Sequence, residues 1–186
     1  KGEVIAQFAD VLARHALGNF RELLREVTIS PGMGIGLSSY GNRKYDPVTG
    51  QRPDENYARE IMQLFSIGLY ELNRDGTPNR DGNPNTSPDP GEGRVPSYTQ
   101  KDVVEFAKIM TGWDLAGVNP YGSDLRHGLD LTRSMEFHSD YHEDEIAEGG
   151  DGRAEILGVS VPLNAGADGS GLDAAIEVLV QHPNTG

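Results

Sequence analysis

The run Glu55-Asn56-Tyr57-Ala58-Arg59-Glu60-Ile61-Met62-Gln63-Leu64-Phe65-Ser66-Ile67-Gly68 decides the fold. Its apolar positions, Tyr57, Ala58, Ile61, Met62, Leu64 and Phe65, recur at helical spacing, which predicts a helix over 55–67 with Asp54 as its N-cap. So wide an apolar arc places the helix deep in a core. The remaining stripe, Asn56, Arg59, Glu60 and Gln63, stands at i, i+3, i+4 and i+7, so these polar side chains can point to one place.

On the N-terminal side, Val4, Ile5, Phe8, Val11, Leu12, His15 and Ala16 predict a helix over 3–16, stopped by Gly18. Asn19 caps a second helix over 19–29, with Glu22 in the capping-box position. Ser30-Pro31-Gly32 breaks the chain, and a short helix over 32–39 is weakened by three glycines. Residues 40–53 read as a polar loop. On the C-terminal side, 68–98 carries Asn-Arg-Asp-Gly at 73–76 and again at 79–82, which predicts a small β-hairpin or irregular flap whose most mobile part is 84–94. Thr99 caps a helix over 100–112, with Asp102 at its third position and Trp113 closing it. The segment 114–170 is loop-rich, with two short strands, 154–157 and 159–163, about Gly158. A last helix covers 172–182. The fold expected is mainly α: about five helices, a flap hairpin and a long loop-rich segment, in a single domain over 1–186.

Composition narrows the function classes. Formal net charge is −13, with 24 Gly and 11 Pro. Such a surface repels nucleic acid and anionic membranes. No Cys is present, which excludes disulfides, thiolate metal sites and Cys nucleophiles. No apolar run approaches the roughly 18 residues of a transmembrane segment. The chain opens at Lys1 and closes on Pro183-Asn184-Thr185-Gly186, which reads as a fragment of a longer chain.

Two blocks carry a resemblance: Glu55 to Gly68, and Tyr98-Thr99-Gln100-Lys101-Asp102-Val103 running through Ala107 to Thr111-Gly112-Trp113. With His15 to Phe20, Phe137 to His142, Leu157-Gly158 and His182-Pro183, they closely resemble the Domain of Unknown Function 1800 family in the correct order. The resemblance implies a largely helical bacterial protein, exported to the periplasm or beyond, of which this chain is the middle. It implies as partner a sulfatase-like protein of the Domain of Unknown Function 1501 family, and no accepted activity. The chain departs from the family at Glu143, where Asp usually follows the His, and in the added tract 84–94.

Several residues bear on chemistry, and each has a structural reading beside the functional one. Arg59 and Glu60 could orient a ligand or exchange protons, or form a buried pair. His15, on an apolar face, is a core residue or a metal ligand. His138, Asp140, His142, Glu143 and Asp144 form either a ligand-rich segment or a solvated acidic loop. The combination His15, Glu60 and His142, with Arg59 as electrostatic stabiliser, would make a metal-assisted hydrolase. Asp75 and Asp81 sit in two incomplete calcium-loop half-patterns that lack the closing Glu, and Asn and Asp beside Gly also suit turns. A divalent cation, calcium or zinc, is therefore the cofactor to consider. Trp113 is most simply a core aromatic; Trp113, Tyr121 and Tyr141, if exposed, would serve a carbohydrate-binding module. The leading expectation is a binding or scaffold module that acts with a partner protein.

Overall fold

The computed structural model describes residues 2–80, 93–118, 129–143, 150–163 and 170–185. Among them are six helices: α1 (Gly2–His15), α2 (Phe20–Thr28), α3 (Pro31–Gly36), α4 (Asn56–Gln63), α5 (Gln100–Ile109) and α6 (Ser170–Val180). Two antiparallel hairpins complete them. In one, β1 (Trp113–Asp114) pairs with β2 (Glu136–Phe137), and in the other β3 (Arg153–Ile156) pairs with β4 (Val159–Pro162). Helices dominate the core but share the chain with these hairpins and with long irregular connections. The sixth helix is the glycine-containing α3, which Ser30 starts by accepting from the Met33 N–H (3.3 Å). The tract 84–92, part of the stretch expected to be mobile, lies outside the described residues.

Helices α4 and α5 pack together at the centre, with Tyr57, Ala58, Ile61 and Met62 facing Val103, Phe106, Ala107 and Met110, all at most 1% exposed. Burial pushes the Tyr57 hydroxyl well above its ordinary pKa, and that hydroxyl donates to Thr28 Oγ1 (2.9 Å). Helix α4 is shorter than its periodicity predicts. Past Gln63 the Phe65 N–H reaches back to the Glu60 carbonyl (3.2 Å) and the Ser66 hydroxyl takes the Ile61 carbonyl (2.6 Å). Gly68 then turns the chain at φ +74°, as left-handed glycines end helices. Leu64 consequently leaves the apolar arc and is 67% exposed.

Helix α5 begins as its sequence predicts. The Asp102 carboxylate accepts from the Thr99 N–H (2.7 Å) and hydroxyl (2.6 Å), closing a capping box. Its other oxygen accepts from the Leu157 N–H (2.7 Å). Asp102 thereby ties the start of α5 to the β3–β4 turn, where Leu157 and Gly158 both adopt positive φ. The hairpin rests on α5 through β3 and on α6 through β4.

The expected flap is held by isolated antiparallel bridges, Tyr70↔Pro96, Leu72↔Pro78 and Arg80↔Arg94. Asn184 anchors it, donating from its side-chain amide to the Ile67 and Tyr70 carbonyls (2.7 Å each) and accepting from the Leu72 N–H (2.9 Å).

Candidate functional site

The polar stripe of α4 does not converge on one place. Asn56 donates to the Leu37 carbonyl (3.0 Å). Arg59 donates to Glu55 Oε2 (3.1 Å) and Gln100 Oε1 (3.2 Å), and the Gln100 amide donates to the same Glu55 oxygen (2.7 Å). This three-residue cycle joins the first turns of α4 and α5. Glu60 keeps one oxygen buried without a hydrogen bond. Nearby, burial raises the Tyr98 hydroxyl pKa; the Arg59 charge opposes that shift and the Glu60 charge adds to it.

His142 is 3% exposed and bridges two elements. Its Nδ1 lies 2.8 Å from the Thr111 carbonyl oxygen and its Nε2 lies 2.7 Å from that of Leu163. A neutral imidazole can donate to one of these acceptors at a time, a protonated ring to both. The Thr111 hydroxyl donates to the Lys108 carbonyl (2.6 Å) and accepts from the Glu143 N–H (2.8 Å). His142 therefore ties the C-terminal end of α5 to the end of β4. His15 lies elsewhere, its Nε2 facing Glu26 at 3.2 Å between α1 and α2. The structure does not gather His15, Glu60 and His142. Among the described residues, no three His, Asp or Glu side chains form a group able to hold a metal ion.

The flap half-pattern resolves into a turn. Asp75 accepts from the Thr77 N–H (3.0 Å) and hydroxyl (2.6 Å), while Asn73 and Thr77 pair across the turn. Asp81, Tyr121 and Asp144 lie outside the described residues. The two described rings considered for sugar stacking, Trp113 and Tyr141, are not free platforms. Trp113 is 4% exposed against Phe137, and the Arg43 guanidinium covers the Tyr141 ring at 3.7 Å.

Asp75 shares its device with two partly exposed aspartates, Asp46 and Asp130. Hydroxyl donation from Thr49, Thr77 and Thr132 lowers the carboxyl pKa values of Asp46, Asp75 and Asp130 respectively below the ordinary 3.8. The unfolded chain then binds more protons between the two values. These contacts therefore contribute fully above 3.8 and are lost as pH falls through the lowered folded values. We expect the triple variant Thr49→Val, Thr77→Val, Thr132→Val to show a shallower fall of Tm with acid below about pH 4 than the parent. Superimposable acid limbs would mean that the three bonds do not form in solution.

Among the openings that the described residues leave is a cleft of about 370 Å³ between α5 and the loop that precedes α4. The loop is folded by its own polar groups. Asn42 and Asp54 exchange hydrogen bonds, the Asn42 amide to the Asp54 carbonyl (3.2 Å) and the Asp54 N–H to Asn42 Oδ1 (2.8 Å). The Gly50 N–H closes a turn on the Asp46 carbonyl (2.8 Å). The loop is pinned to the body where the Lys44 N–H meets the Tyr141 carbonyl (2.9 Å) and the Tyr45 N–H meets Glu143 Oε2 (3.0 Å). Tyr45, Arg52, Pro53 and Glu55 line one wall; Val104, Ala107 and Lys108, spaced i, i+3, i+4 on α5, line the other, with Glu143 adjoining. Lys108 pairs with Glu105 (2.8 Å). A larger, more open groove of about 680 Å³ runs between α1 and residues 132–136. Its arginines are already paired, Arg14 with Glu26 (2.5 Å) and Arg133 with Glu136 (2.8 Å).

Sequence reading passed over Tyr45, Arg52, Val104 and Lys108. The loop's Asp-Pro…Gly punctuation and the helical spacing of 104, 107 and 108 were the available signals. Neither says that the two segments face each other.

A model for the family described as "Protein of unknown function (DUF1800)" matches residues 2–186. No curated protein and no solved structure matches the chain.

Proposed function

Because the chain belongs to the DUF1800 family across residues 2–186, whose description assigns no activity, we propose a function from its geometry: a non-catalytic binding module that takes its ligand in the cleft between the 42–54 loop and α5. One observation carries this reading. The cleft sets Tyr45, Pro53, Val104 and Ala107 beside four charged side chains, Arg52, Glu55, Lys108 and Glu143, and has the size of a small-molecule or side-chain site. By contrast, two of the side chains considered for catalysis are engaged within the fold, Arg59 with Glu55 and Gln100 and His142 with backbone carbonyls, while Glu60 keeps one buried oxygen without a hydrogen bond. The metal-assisted hydrolase has no comparable support, since its three ligands are held apart. Export and a sulfatase-like partner, both implied by the family resemblance, belong to the proposal as the setting in which the cleft would be filled. No helix of the described residues is long and apolar enough to cross a membrane.

The test is a fragment-library titration of the ¹⁵N-labelled chain. Compounds that bind should shift the amides of Tyr45, Val104 and Ala107 and raise Tm with concentration, as mass action requires. Val104→Trp, which fills the cleft from a half-buried position, should weaken them at least about tenfold while the remaining spectrum stays folded. Shifts that cluster elsewhere, or that survive Val104→Trp, would remove this reading.

A further inference from the structure

The charges of the cleft narrow what it takes. Glu55 is held by Arg59 and Gln100, Glu143 by the Tyr45 N–H, and Lys108 by Glu105. Arg52 differs. It lies over the Tyr45 ring at 5.4 Å, with no ion pair or hydrogen bond to the described residues, on a chain whose net charge is −13. Its five N–H donors form a planar fork suited to a carboxylate. Next to it, Pro53, Val104 and Ala107 supply an apolar floor. The two carboxylates of the lining, Glu55 and Glu143, favour a singly over a doubly charged anion, because repulsion grows with the ligand's charge. Resting on the binding reading above, we infer that the cleft's ligand is a monocarboxylate joined to a small apolar body, its carboxylate on Arg52 and its body against Pro53, Val104 and Ala107. Such a group occurs both in free organic acids and at the C-terminus of a polypeptide.

The experiment titrates the chain with N-acetyl-leucine, its neutral counterpart N-acetyl-leucinamide, and inorganic phosphate, read by amide shifts at Tyr45, Val104 and Ala107. The acid is expected to bind at least about tenfold more tightly than the amide, with phosphate weaker than the acid. Arg52→Gln should remove that preference without moving Tm, since the parent side chain is exposed and makes no bond. A pentapeptide ending in leucine, free or amidated, separates the two sources. Tighter binding of the free-ended peptide than of N-acetyl-leucine assigns a chain terminus, and the reverse assigns a small acid. Equal binding of acid and amide at the cleft, or an acid preference that survives Arg52→Gln, overturns the carboxylate inference and leaves the binding reading standing. If neither these compounds nor any member of the fragment library shifts the cleft amides, both fall together.

Discussion

Gly112→Ala is expected to cost about 2–5 kcal/mol and to lower the urea midpoint markedly. Gly112 holds φ +84°, a region in which an L side chain costs roughly 1–2 kcal/mol. The added Cβ would also lie 2.8 Å from the His138 carbonyl oxygen, 3.1 Å from His142 Cβ and 3.2 Å from the Phe137 ring. The first of these neighbours is backbone and cannot rotate away, so overpacking adds about 1–3 kcal/mol. The crossing is fixed from both sides, because the Gly112 N–H donates to the Asn42 carbonyl and its own carbonyl accepts from the His138 N–H (2.8 Å each). Against a total stability of roughly 5–15 kcal/mol for a domain, the loss is large. Urea denaturation checks it: an unchanged midpoint would mean that the 42–54 loop and the β1–β2 hairpin do not meet at this residue.

The second large effect is expected at His142. His142→Ala removes the imidazole from between the Thr111 and Leu163 carbonyls and from its edge contact with Phe137, whose ring centroid is 4.9 Å away. Leaving the buried acceptor that the ring serves without its donor costs about 1–3 kcal/mol, and the ring's emptied volume adds to that, so a loss of about 2–4 kcal/mol is expected. His142→Phe keeps a ring against Phe137 but restores neither bond, and should remain destabilised. Full stability of both variants would show that the imidazole is not a structural tie and would return it to the list of chemical groups. His142→Ala keeps the Cβ that the added group at position 112 would meet but empties the ring volume beyond it, so residues this close should couple and the two losses should not simply add in the double variant.

Both residues show how far the sequence carried and where it stopped. Gly112 was legible as the end of α5, but the reason Gly is required there lies in Asn42 and His138, each distant in sequence. His142 was legible as a possible ligand because His often is one. Its role follows from two backbone carbonyls, which no residue pattern encodes. Asp102 was half legible. The capping box is local, since Thr99 and Asp102 are three residues apart, whereas the bond to the Leu157 N–H spans 55 residues. The stripe on α4 was legible as polar, yet its members part. Arg59 turns to Gln100 at the start of α5 and Asn56 to the end of α3, because neighbouring helices reach the stripe from different sides.

The sequence by itself determined the helices, the capping of α5, the hairpin about Gly158, the family and the lack of any membrane-length apolar run. These rest on periodicities and short-range bonds within a few residues. Only the tertiary structure decided that His15, Glu60 and His142 stay apart and that a polar loop beside α5 leaves a cleft with Arg52 at its edge. Such outcomes depend on which distant segments satisfy one another's buried polar groups and fill one another's volume, and that requirement acts through space rather than along the chain.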